Sequence, residues 1–342
     1  MMRIAYMTGE YPRATDTFIQ REVDALRRRG IDVTSCAVRR PSEQDVVSGA
    51  QRQEREKTRY ILPCGPHQIL MAHLRLTVTS PRRYMRAMRL AASTRAAGLR
   101  AWLWQVFYFI EAGILAHVLH RRGVRHIHNH FANSSCSVTM LAAEMGGLTF
   151  SFTMHGPAIF FDPRYWRIDE KIRKARFVAC ISHFCRSQAM IFARPEDRDK
   201  LHIVHCGIEP ERYQSVIHQG RGTRLLFVGR LAAEKGLHVL LQSIAELKRD
   251  EPDVHLTVVG DGPDCAELES QTRSLGIAEN VEFVGYQSPD SVSTRMSESD
   301  LFVMSSFAEG VPVVLMEAMA TGLAVVAPRI AGIAELVHDG VS

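Results

Sequence analysis

A chain of 342 residues is longer than one hydrophobic core usually fills, so two domains are expected. Its 46% hydrophobic and 23% charged residues are those of an ordinary globular protein and exclude a disordered or fibrous chain. A net charge of +5 gives no reason to expect nucleic acid; it suits an anionic ligand or membrane surface without demanding either.

The opening Met1-Met2-Arg3-Ile4-Ala5-Tyr6-Met7, soon followed by Glu10 and Pro12, does not read as a signal peptide. Seven scattered cysteines with no Cys-x-x-Cys read as reduced thiols in a cytoplasmic protein. Residues 3–7 make a buried strand, and Thr8-Gly9-Glu10-Tyr11-Pro12 the loop after it. A helix is expected from Thr17, which with Gln20 spells a capping box. Ile19, Val23 and Leu26 share its apolar face, and Gly30 stops it. Residues 31–38 are the next strand. Strand, loop, helix, strand is how a doubly wound α/β domain begins. Ligands of such domains lie beyond the carboxyl ends of the strands, so residues 9–17 are a candidate wall of a site, although a plain surface loop reads the same way.

Residues 40–60 are polar and read as loop or exposed helix. Residues 81–100 carry Arg82, Arg83, Arg86, Arg89, Arg95 and Arg100 and no acid. Residues 102–119 are apolar but broken by Gln105, Glu111 and His117. That pattern suits a buried or half-buried helix better than a membrane span, which needs ~20 apolar residues in a row. The arginine face is either solvated or set against anionic lipid.

Residues 124–131 form a strand with His126, His128 and His130 on one face. That spacing can hold a metal, but no acid or cysteine lies near in sequence to complete a set, and no metal is expected. Residues 137–145 are helical up to Gly146-Gly147. The strand at 149–155 ends in His155-Gly156-Pro157, which puts His155 where chemistry is done in this architecture. Strands at 177–182 and 201–206 complete the alternation, and a polar stretch at 213–223 is the expected linker.

The pattern then restarts. A strand at 224–229 leads to Lys235-Gly236 and a helix at 237–249. Strands at 254–259, 281–284 and 301–304 follow. After the last comes Phe307-Ala308-Glu309-Gly310-Val311-Pro312-Val313, with a helix at 313–320 whose first position is given to Pro312. Free N–H groups at a helix start favour an anion. Glu309 and Glu317 flank it, either to grip sugar and ribose hydroxyls or simply as solvated charges. The expected domains are 1–215 and 222–342.

With these pieces placed, the second half resembles the retaining glycosyltransferases of family 4, which have the GT-B fold of two Rossmann-like doubly wound domains facing across a cleft. Three motifs in order carry the resemblance: Phe227-Val228-Gly229-Arg230-Leu231 with Lys235-Gly236, Val259-Gly260-Asp261-Gly262-Pro263, and Glu309-Gly310-Val311-Pro312 through Glu317. The first half is similar to the subset that builds bacterial exopolysaccharides of the colanic-acid type, through Tyr11-Pro12, Thr15-Asp16-Thr17-Phe18-Ile19, His128-Asn129-His130-Phe131 and Thr153-Met154-His155-Gly156.

The resemblance implies a donor that is a UDP- or GDP-linked sugar and an acceptor that is a glycan or a polyprenyl-linked glycan. It implies catalysis by His155, Arg230, Lys235 and Glu309. Donor contacts would come from Gly9, Gly229, Gly310, Val311, Pro312, Val313 and Glu317, with Arg230 and Lys235 on the leaving diphosphate in place of a metal. Many relatives have a Gly-Gly pair in the first loop, where Ala14-Thr15 stands here. Further strands and helices follow in the family beyond the point where this sequence stops, so an incomplete second domain is expected, with weak activity or self-association. A non-catalytic sugar-nucleotide binder and a sugar-nucleotide epimerase of the same fold are the alternatives. The protein is expected to be cytoplasmic, with a possible peripheral place on the inner membrane face.

Overall fold

The computed structural model describes residues 2–216 and 220–341, the side chains of residues 157 and 158 aside. The chain folds as two compact units, Met1–His205 and Cys206–Ser342. Part of the expected linker, residues 217–219, lies outside the described residues.

In the first unit seven parallel strands form one sheet: β1 Arg3–Glu10, β2 Asp32–Arg39, β3 Arg59–Tyr60, β4 His126–His130, β5 Thr149–Met154, β6 Val178–Cys180 and β7 Leu201–Ile203. Their order is β3-β2-β1-β4-β5-β6-β7. The centre of the sheet is apolar because helices cover both faces of a parallel sheet. Ala5, Met7 and Ile127 are fully buried, and Ile4 and Tyr6 pack with Ile19, Val23 and Val33. β1 runs through Thr8 and Gly9 to Glu10, pairing Thr8 with Ala37 and Glu10 with Arg39, so the expected loop at 8–12 is largely strand.

The helix Thr17–Arg28 forms as expected, with Ile19 and Val23 buried. The Thr17–Gln20 capping box does not form: Thr17 is already inside the helix, and Asp16 at the cap is drawn away to the Arg13 guanidinium. The capping box of this unit is at Ser48 and Gln51, opening Gly49–Lys57 inside the stretch read only as polar. The short β3 was also missed; two residues carry too little pattern to see.

Three helices lie between β3 and β4 along the chain: Pro66–Thr79, Pro81–Thr94 and Leu99–Arg121. The last is long and apolar enough to cross a membrane, but its carboxyl half, with Ile114, Leu115, Ala116 and Leu119, is buried within the unit.

The second unit has five parallel strands: β8 Arg224–Val228, β9 His255–Val259, β10 Val281–Phe283, β11 Leu301–Val303 and β12 Ala324–Val326, in the order β10-β9-β8-β11-β12. Alternation along β8 divides two apolar layers. Leu225 and Phe227 pack with Leu237, Leu241 and Ile244, while Leu226 packs with Phe302, Leu315 and Leu323. β12 had escaped the sequence reading.

Residues 206–216, expected to end the first domain, belong to the second unit. The Val216 N–H donates to the Thr321 carbonyl at 3.0 Å, and the Tyr213 hydroxyl donates to Glu317 at 2.8 Å.

Candidate functional site

In the second sheet the chain runs outward from β8 to β9 and β10, then returns to the other side of β8 as β11. The loops after β8 and β11 therefore leave in opposite directions, and a crevice opens where they part. The motifs at 229–236 and 305–317 meet here because of that topology.

Backbone contacts set the approach. Gly229 donates its N–H to the Val259 carbonyl at 2.9 Å. A Cβ on Gly260 would lie 1.9 Å from the Gly229 carbonyl oxygen, and Gly260 holds φ at +135°. Gly236, at φ +64°, ends a single turn at Ala233–Lys235 and opens the helix Leu237–Leu247. Its own Cβ would meet the Ser305 carbonyl oxygen at 2.2 Å. Only glycine permits this approach, and the approach brings Lys235 to the loop after β11.

There Lys235 Nζ lies 2.6 Å from Glu309 Oε1, and the Ser306 hydroxyl donates to the same oxygen at 2.7 Å. The Ser305 hydroxyl donates to the Lys235 carbonyl at 3.0 Å. Glu309 is buried and its Oε2 takes neither of these bonds. Arg230 is exposed at the end of β8, and its guanidinium has no hydrogen bond or ion pair among the described residues.

Gly310 and Val311 are buried, and Pro312 is the N-cap of Val313–Ala320, one position before its expected place. No side chain caps this helix, and although the Leu315 N–H bonds the Pro312 carbonyl at 3.2 Å, the N–H groups of Val313 and Val314 before it suit an anion. Glu317 follows one turn later, held by Tyr213, a residue the sequence reading had placed in the linker. Nothing in the sequence marks Tyr213; only the return of the chain onto the helix does.

In the first unit the alternate histidines share one sheet face, as expected, and are spanned by the hydroxyls of β5. His126 bonds Thr149 and Ser151, each at 2.8 Å. His128 bonds Ser151 at 2.7 Å and Thr153 at 2.8 Å. His130 Nδ1 lies 2.8 Å from His155 Nε2. Burial, then the neighbouring imidazole, holds both His128 and His155 down to about 3. His155 is thus a neutral imidazole at neutral pH.

An acid does approach this face, contrary to the reading from sequence distance. Glu22, on the helix Thr17–Arg28, comes within reach of His128 and His130. It accepts the Tyr6 hydroxyl and stands 3.7 Å from His130 Nε2. With both nitrogens of His128 already bonded to hydroxyls, the group reads as a hydrogen-bonded network rather than a ligand set.

Gly9 faces open space beyond β1, with nothing within 4 Å of where its Cβ would be. It lines a cavity of the first unit with Arg13, Arg39, Trp104, Tyr108 and Glu111. Of these, Glu111 had been read only as a polar break in an apolar helix.

With this geometry in hand, comparison with known proteins is informative. Residues 209–342 match the family described as Glycosyl transferases group 1. The chain is 33% identical over 154 residues to the amylovoran biosynthesis glycosyltransferase AmsK of Erwinia amylovora, a match that takes in 42% of this chain and 37% of that protein. It is 23% identical over 359 residues to the putative colanic acid biosynthesis glycosyltransferase WcaL of Salmonella typhimurium, covering 100% of this chain and 86% of the other.

Among solved structures, Anabaena HepE in complex with UDP and glucose superposes with a TM-score of 0.71 at 17% identity, over 100% of this chain and 84% of that one. Sucrose-phosphate synthase from Thermosynechococcus elongatus gives 0.72 at 16%, over 99% and 84%. The fold is GT-B, built from two Rossmann-like parallel α/β units.

Proposed function

We propose, with the group 1 glycosyl transferase domain of residues 209–342 as the premise, that this protein is a metal-independent, retaining glycosyltransferase of bacterial exopolysaccharide synthesis. It moves a sugar from a UDP- or GDP-linked donor to a glycan or polyprenyl-linked acceptor. The observation that carries this reading is the meeting of Lys235, Glu309 and the uncapped start of Val313–Ala320 at the switch point between β8 and β11.

Transfer breaks the bond between the sugar's anomeric carbon and the diphosphate, and negative charge grows on the leaving phosphate. Fixed cations and helix-start N–H groups stabilise that charge most where it develops. Arg230, exposed and with no side-chain partner among the described residues, offers a two-pronged grip, and Lys235 a point charge held in place by Glu309. These groups do the work for which other transferases recruit a metal. Glu309 has Oε2 left for a hydroxyl of the transferred sugar, and Glu317 is suited to the ribose hydroxyls. His155 serves a sugar hydroxyl as a neutral imidazole. HepE, whose structure holds UDP and glucose, supports a nucleotide-sugar donor by likeness of fold.

The reading extends to a cytoplasmic protein resting on the inner membrane face. No Asp or Glu occurs from residue 57 to 110. Within that stretch Leu70, Leu74, Val78, Leu99, Trp102 and Phe107 are exposed. Arginines beside exposed apolar side chains suit an anionic lipid surface.

Arg230→Ala and Lys235→Ala are each expected to lower turnover of a nucleotide sugar by about 10²-fold or more, since each removes a contact to the leaving charge. Turnover should persist in EDTA. Near-normal rates in both variants, or activity that returns only with added divalent ion, would overturn the assignment.

A further inference from the structure

Among its described residues the first unit contains four buried carboxylates: Asp16, Glu54, Glu111 and Asp197. Three are answered by a cation. Asp16 has Arg13 at 2.8 Å, Glu54 has Arg27 at 2.6 Å, and Asp197 has Lys200 at 2.7 Å. Glu111 is also buried, at 7% exposure, but its carboxyl has no side-chain hydrogen bond or ion pair among the described residues and feels the Arg39 guanidinium only at longer range. A buried carboxyl without a partner is costly, and a fold rarely keeps one without a use.

Glu111 lines a cavity of about 450 Å³ beyond the carboxyl ends of β1, β2 and β4. That volume is in the range of small-molecule sites. The walls are aromatic: Trp104 and Tyr108 from the helix that carries Glu111, with their rings stacked at 6.3 Å, and Tyr165 and Trp166 from the loop before Ile168–Lys174. Arg39, at the end of β2, is exposed, and its guanidinium likewise makes no hydrogen bond or ion pair within 4 Å among the described residues. The cavity thus presents aromatic faces, a carboxyl acceptor and a free guanidinium.

Those three features match the parts of one class of molecule. The C–H faces of a pyranose ring lie on aromatic rings, its hydroxyls donate to a carboxylate, and a guanidinium takes a carboxylate or phosphate in two parallel bonds. We infer that this cavity binds the acceptor and that the acceptor sugar is acidic, its ring on Trp104 and Tyr108, its hydroxyls on Glu111 and its anionic group on Arg39. The inference rests on the glycosyltransferase reading and adds the acceptor's chemical class. Burial, partly offset by the Arg39 guanidinium, pushes the Glu111 carboxyl up to about 7, a strain that hydroxyl donors would relieve.

The test is calorimetric titration of the full chain with methyl glucuronide, glucose 6-phosphate and methyl glucoside, and separately with UDP and GDP. The acidic sugars are expected to bind at least tenfold more tightly than the glucoside, and the tighter of the two tells carboxylate from phosphate. Arg39→Gln should abolish that preference, and Glu111→Gln should weaken all three sugars about tenfold. Equal affinity for acidic and neutral sugars, no sugar binding at all, or affinities unmoved by both variants would overturn the proposal. Nucleotide binding is the separate control. If UDP and GDP both fail to bind, the glycosyltransferase reading is at fault; if one binds and the sugars show no preference, only the acceptor assignment falls.

Discussion

At the β8–β11 crevice of the second unit the decisive groups are charged and tied down: Lys235 on Glu309, Glu309 also on Ser306, and backbones pressed together at Gly236 and Gly260. At the β1 and β4 end of the first unit burial holds the imidazoles of His128 and His155 down to about 3, and so neutral, and pushes the Glu111 carboxyl up to about 7. Both places are strand-order switch points of parallel sheets, so topology alone does not choose the chemistry. The difference suits two tasks. A site that stabilises charge appearing on a leaving group needs ions already fixed. A site that recognises hydroxyls and ring faces needs polar groups whose partners the ligand supplies.

The largest expected effect would break the glycine half of this comparison. Gly260→Ala puts a methyl within 1.9 Å of a carbonyl oxygen at a φ that alanine avoids. A loss of ~3 kcal/mol or more is expected, seen as a drop in thermal midpoint, with donor binding lost alongside. Gly9→Ala in the first unit, where the same methyl meets nothing, should stay within ~0.5 kcal/mol. Equal stability of the two variants would erase the contrast.

The next effect tests neutrality in the histidine network. Between about pH 6.5 and 3 the unfolded chain takes a proton at His128 that the folded chain refuses. Stability should therefore be full above pH 6.5 and fall as pH is lowered. His128→Asn should recover on the order of 2 kcal/mol at pH 4, relative to its own value at pH 7, in denaturant titrations. A pH dependence identical to that of the parent chain would show that this imidazole is already charged in the fold.

Glu111 has the opposite sign and a similar size. From pH 4.5 to about 7 the unfolded chain gives up a proton that the folded chain keeps, so this group's contribution falls as pH rises. Glu111→Gln is expected to stabilise the protein by ~2 kcal/mol at pH 8 and to do almost nothing at pH 4, allowing for the residual solvent at the cavity. A variant less stable at pH 8 would mean that Glu111 has a partner in the folded protein and is not held open for a ligand.

What could be read from residues alone follows this same division. The second unit's site lies in short motifs, because a glycine at a forced backbone approach and a charge one turn away from it must be close in sequence. Lys235-Gly236, Glu309 and Glu317 stood out for that reason, as did the parallel strands, whose apolar runs are local, whereas Gly229 and Arg230 were singled out only through the family resemblance. Groups that meet only through folding were not. Glu22 is 106 and 108 positions from the histidines it approaches, Tyr213 is 104 from Glu317, and Glu111 is far in sequence from Arg39. A capping box is likewise only a possibility in sequence. Thr17 and Gln20 spell one, yet Arg13 takes the neighbouring Asp16 and the helix already begins at Thr17, while Ser48 and Gln51 form a real one. Local periodicity and backbone constraint are written in the order of residues, whereas desolvation and the choice of a partner depend on what the rest of the fold carries to the same place.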